Sequence, residues 1–174
     1  MVREMGPILS SSLPQHNTFV NSHSGLCLEK APEIASSLLK DHGPGDSIVL
    51  HVGTNNVGSD NLNVLINKYE DLLRTVKRTA PHSKVFVCAL AHRISPGSAH
   101  DNMSIDQLNS YLRFLCVKDP NFVFVDNNPE LLEANYMKDG LHFGLSGKNA
   151  FVKCLVHNLS KVQNFPLPPT FPDR

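Results

Sequence analysis

The stretch SIVLHVGTNN, Ser47–Asn56, decides how this chain is read. Its first half is apolar and β-branched without polar alternation, the pattern of a strand buried on both faces in a parallel sheet. Gly53 then allows a sharp turn, and two asparagines follow it. Downstream, Leu65, Ile66, Tyr69, Leu72, Leu73 and Val76 recur at helical spacing within Leu62–Thr79, and Pro81 ends the run. Lys84–Leu90 is a second apolar strand, His92–Asn102 a loop, Ile105–Cys116 a helix with Leu108, Leu112 and Leu115 on one side, Phe122–Val125 a third strand and Leu145–Leu159 a closing helix. Upstream, Gly43-Pro44-Gly45 breaks a helix over Glu29–Lys40 that carries Ile34 and Leu38. Before it, His16–Asn21 (HNTFVN) reads as a strand running into a Ser24-Gly25 turn. Residues 2–13 read as a short helix interrupted by Pro7 and stopped near Pro14.

Strands that alternate with helices and are apolar on both faces predict an α/β fold: a three-layer α/β/α sandwich around a parallel, flavodoxin-like sheet. In such sheets ligands bind beyond the carboxyl ends of the strands, here the loops after Asn21, Val52, Leu90 and Val125.

The 174 residues suit one domain, expected over 1–162, with a Pro-rich tail over 163–174. Sixteen basic residues balance sixteen acidic ones, which argues against a broad nucleic-acid footprint. The small basic patch Arg74, Lys77 and Arg78 reads as the solvated end of a helix. No run reaches the ~20 apolar residues of a membrane span, and the N-terminus has no signal-peptide pattern. Cys27, Cys88, Cys116 and Cys154 form no CxxC pair, and three of them sit in apolar runs. Free thiols and an intracellular, reducing compartment are expected.

Two loops could carry chemistry. In Gly53-Thr54-Asn55-Asn56, an asparagine at a strand end can donate its NH₂ to a developing oxyanion. Taken alone, an ordinary Asn-Gly turn explains that string better. In Asp139-Gly140-Leu141-His142, the carboxylate can fix the imidazole tautomer, leaving the other ring nitrogen as a general base. Helix capping explains that pair equally well, and it has too few neighbours for a zinc site. His51, on the first strand, reads as a satisfied core histidine.

Together the two loops resemble the third and fourth blocks of the SGNH hydrolase (GDSL-like esterase) superfamily, with Asn56 where that family often has Asp. The Ser24-Gly25 turn stands where its glycine block belongs. The flanking text IVLHVGTNN, Leu108-Asn109, FVFVDNN and YMKDGLHFGLSGKNAF is similar to SGNH-type domains of animal genomes, including those of LINE-type retrotransposon proteins. The resemblance implies His142 as general base, Asp139 as its orienting partner, and Gly25 and Asn55 as oxyanion donors. It leaves Thr54, Asn56, His92 and Arg93 as residues that could line the pocket. It implies ester hydrolysis through a serine acyl-enzyme on a small ester or acylated substrate, with no cofactor and no metal.

No serine of this chain fits the nucleophile. Ser47 follows Gly45-Asp46 but starts a strand, on the order of 17–20 Å from its far end at ~3.3 Å per residue. Ser10, Ser11 and Ser12 follow no strand, and Ser22 and Ser24 occupy the glycine turn. Met1-Val2-Arg3-Glu4 resembles the text that follows the family's Gly-Asp-Ser. The expectation is therefore that the serine, and a first central strand, lie upstream of Met1, leaving this chain inactive. The other reading is a non-catalytic binding or assembly module on the same fold, as in a retrotransposon-derived protein. A nucleotide-binding fold is disfavoured, because neither GxGxxG after a strand nor a P-loop motif occurs.

Overall fold

The computed structural model describes residues 5–163 except 15, 42, 44 and 45. The Met1–Glu4 reading, the tail from residue 164 and most of the Gly43-Pro44-Gly45 breaker lie outside the described residues. The fold is α/β, with a small parallel sheet flanked by helices. Helix α1 covers Met5–Ser12, α2 Ala31–Leu39, strand β1 Ser47–Leu50, α3 Leu62–Thr79, β2 Lys84–Cys88, α4 Ala99–Lys118, β3 Phe122–Val125 and α5 Leu145–Gln163. Two compact units form: Gly25–Asp126 as one, and the two chain ends, up to Ser24 and from Asn127, as the other.

In the first unit the sheet runs β1-β2-β3, all parallel, with Ser47 opposite Lys84 and Val85 opposite Phe122. The central strand β2 buries Val85, Phe86, Val87 and Cys88, whereas β1, paired on one side among the described residues, leaves Val49 38% exposed. Helix α3 starts where Asn61 accepts a hydrogen bond from the Val64 amide at 3.1 Å, satisfying one donor that a helix start cannot pair itself. Its expected stripe packs into the core, with Leu65, Tyr69, Leu72, Leu73 and Val76 all buried. In the second unit α1 packs on α5, and residues 133–135 make a 3₁₀ turn against the start of α5. There a Cβ on Gly147 would lie 2.3 Å from the Asn135 carbonyl oxygen.

The structure corrects several expectations. HNTFVN joins no ladder among the described residues, and Phe19 is 86% exposed. Its apolar stretch is only Phe19-Val20, between Thr18 and Asn21, too short to hold an edge. Pro7 does not interrupt α1, which runs through it from Met5 to Ser12. In α2 the buried face is Ala31, Ala35 and Leu39, while Leu38 is exposed. Helix α4 starts at Ala99, six residues earlier than the apolar spacing indicates, because its first turns bind a loop through polar side chains. All four cysteines are free thiols, with Cys88 and Cys116 buried. No helix among the described residues is long and apolar enough to cross a membrane.

Candidate active site

The oxyanion candidates Gly25 and Asn55 lie in one unit, and the Asp139–His142 pair lies in the other. In the first unit, Gly53 makes the turn after β1 with φ 108°. A Cβ there would meet the Tyr69 hydroxyl oxygen at 2.7 Å. Glycine is thus required twice, by the backbone and by the ring. That hydroxyl donates to the Val52 carbonyl, and burial raises its pKa. Thr54–Asn56 then form a single 3₁₀ turn.

The turn is stitched to the Gly25 segment. Asn55 Nδ2 donates to the Leu26 carbonyl at 3.0 Å, using one of its two N–H groups. Gly25 itself has φ 69°, a left-handed conformation that suits glycine. Asn56 Oδ1 accepts from the Leu28 amide at 2.8 Å. Asn56 Nδ2 donates to Asp60 Oδ2 at 2.7 Å and faces both Glu29 carboxylate oxygens, the nearer at 3.1 Å. Lys68 bridges Glu29 and Asp60. The Lys68 hydrogen bond is the main reason the Glu29 pKa falls to about 2; it also lowers that of Asp60. Asn56 is 2% exposed, so its side chain braces the turn from inside and does not line a pocket.

Two more sequence candidates sit on the segment after β2. Arg93 reaches back to the turn and donates to the carbonyls of Thr54 and Val57 at 2.9 and 3.0 Å. His92 Nε2 lies 2.7 Å from Asp106 Oδ1 and is partly exposed. Thr54 therefore contributes its backbone oxygen to a brace. Arg93 is engaged as that brace, and His92 stands at the surface. His51 lies just past β1, and burial pushes its pKa down to about 4, so it is neutral at pH 7.

In the other unit, Gly140 with φ 64° folds residues 137–142 into a tight loop closed by a 2.7 Å bond from the Met137 amide to the His142 carbonyl. Asp139 Oδ1 accepts from the Leu141 and His142 amides at 3.0 and 2.9 Å. Asp139 Oδ2 lies 2.7 Å from His142 Nδ1. The backbone donors, ahead of the imidazole, hold the Asp139 pKa at about 2. A carboxylate fixed this way keeps the proton on Nδ1 and leaves Nε2 with its lone pair outward. Both side chains are half exposed. Among the described residues no group of three His, Cys, Asp or Glu could hold a metal ion.

Sequence reasoning found these loops but missed Glu29, Asp60, Lys68 and Asn102. The hint available was Asn56, an amide in place of a carboxylate, which can sit between two acids where a third acid would repel them.

No family model and no curated protein matches the chain. Solved structures do. A carbohydrate esterase family 3 protein from Talaromyces cellulolyticus has a TM-score of 0.74 at 15% identity, over 92% of this chain and 91% of that one. A member of the lipolytic G-D-S-L family from Veillonella parvula gives 0.75 at 15%, over 90% and 87%. The catalytic domain of peptidoglycan O-acetyltransferase A from Streptococcus pneumoniae gives 0.70 at 16%, over 95% and 91%. At these identities the likeness establishes a shared α/β fold.

Proposed function

We propose that this domain serves acyl transfer on small esters or acylated groups, with His142 as general base and Asp139 as its orienting carboxylate. The observation that carries the reading is the Asp139 carboxylate, held by two backbone amides and 2.7 Å from His142 Nδ1. The second N–H of Asn55 Nδ2 and the Gly25 amide would stabilise the oxyanion. A serine hydroxyl would attack the ester carbonyl while its proton passes to His142 Nε2. The C–O bond then breaks, and the alcohol leaves with that proton. Water, deprotonated by the same nitrogen, releases the acid and restores the serine. The reading assigns the serine to no residue of this chain. Ser47 begins β1 at the opposite end from the Asn55 turn, and the hydroxyls of Ser11 and Ser12 donate to the Ile8 carbonyl within α1.

The test compares residues 1–174 with a version extended at its N-terminus by a strand ending in Gly-Asp-Ser. A fluorophosphonate probe should label only the extended chain, which should cleave a short aryl ester and lose that activity on His142→Ala. If the extended, folded chain resists the probe, the acyl-transfer reading is wrong and a binding module on the same fold is left. Labelling of residues 1–174 itself would overturn the assignment of the nucleophile.

A further inference from the structure

Arg93 ties the Asn55 turn to the start of α4. One terminal nitrogen, Nη2, donates to both the Thr54 and Val57 carbonyls at 2.9 and 3.0 Å. The other, Nη1, pairs with Asp101 on α4, and the guanidinium side chain is 19% exposed. The Arg93 backbone is fixed as tightly. Its amide donates to Asn102 Oδ1 and its carbonyl accepts from Asn102 Nδ2, both at 2.8 Å. Asp101 and Asn102, adjacent on α4, thus hold the two ends of one residue.

The grip on Thr54 has a directional consequence. A trans peptide sets its C=O and N–H antiparallel, so drawing the Thr54 oxygen toward Arg93 turns the Asn55 N–H away from it. Asn55 follows directly, with its side chain tied on to Leu26 at 3.0 Å. A lysine would bring one compact ammonium in place of two separate terminal nitrogens, and could not hold both carbonyls from one nitrogen while a second faces Asp101.

We infer that Arg93, anchored to α4 by Asp101 and Asn102, is a positioning residue that sets the orientation of Asn55 by holding the Thr54 and Val57 carbonyls. The catalytic meaning of this rests on the acyl-transfer reading. The geometric claim stands apart from it and is tested on residues 1–174 as they are.

The experiment records the Asn55 side-chain amide signals by ¹⁵N NMR, with hydrogen exchange at residues 54–58 and at β2. Arg93→Lys should shift the Asn55 Nδ2 signals. It should also speed exchange at 54–58 by about tenfold, as expected for losing charge-assisted bonds to part-buried carbonyls, and leave Val85–Val87 unchanged. Asp101→Asn, a milder change that frees the guanidinium, should move the same signals in the same direction. It decides the matter if Arg93→Lys fails to fold. Added guanidinium, at a concentration well below denaturing, should restore the Asn55 signals in Arg93→Gly. Unmoved Asn55 signals in the folded variants would overturn the inference. So would exchange that rises equally in β2, since Arg93 would then stabilise the unit generally. Failure of the acyl-transfer reading shows separately, in the fluorophosphonate experiment.

Discussion

Gly53 and Asp139 carry the sharpest residue-level demands. Gly53→Ala meets a disfavoured backbone and the Tyr69 hydroxyl oxygen at 2.7 Å. The two effects together should cost about 2–4 kcal/mol in urea unfolding. Asp139→Asn keeps an oxygen for the two backbone amides but offers His142 Nδ1 a donor instead of an acceptor. The imidazole proton then moves to Nε2, and the base is lost. In the nucleophile-bearing chain kcat should fall by as much as about 10⁴-fold with an unchanged circular dichroism spectrum. At this scale the sequence shows which residues stand in the loops, but not what they hold. Arg93 contacts residues 36 and 39 positions earlier, and Lys68 contacts Glu29 across 39. No local period encodes such reach.

Among the elements, α4 does work usually left to a neighbouring strand. Asn109 accepts from the Leu90 amide at 2.8 Å and donates to the Leu90 carbonyl at 2.9 Å, as Asn102 does for Arg93. Seven residues apart, the two asparagines share a helix face and lay down a ladder of side-chain amides. Asn109→Leu removes both of its bonds, and urea unfolding should show a loss of about 2–3 kcal/mol. The sheet and helices were largely legible because their signals are local: α3 and β3 match their apolar runs residue for residue. The start of α4 was not, since His100, Asp101 and Asn102 carry no apolar stripe, and the partners of Asp101 and Asn102 lie in a loop far from any local period. HNTFVN failed for the opposite reason: it has strand composition and no ladder.

For the whole molecule, the acid limb of stability follows from the carboxylates. Glu29 in one unit and Asp139 in the other titrate at about 2 when folded, from ordinary values of 4.5 and 3.8. A depressed folded pKa means stability that is complete above the ordinary value and lost as pH falls toward the folded one. The urea midpoint should therefore hold above pH about 5 and decline between about 4.5 and 2. Lys68→Met should lower the neutral-pH midpoint and make that decline shallower, because the cation that favours the ionised Glu29 and Asp60 is gone.

The division into units also bears on how the chain is made. Spatial order in the sheet equals chain order, so each strand can dock on the one before it as synthesis proceeds. The other unit joins segments far apart in sequence, and α1 meets α5 only after everything between Ser12 and Leu145 has been made. During that interval Met5 and Leu9, buried in the finished fold, lack that partner. Met5 and Leu9 thus stay uncovered while the whole sheet unit forms, and this is a stretch a nascent-chain chaperone would find exposed.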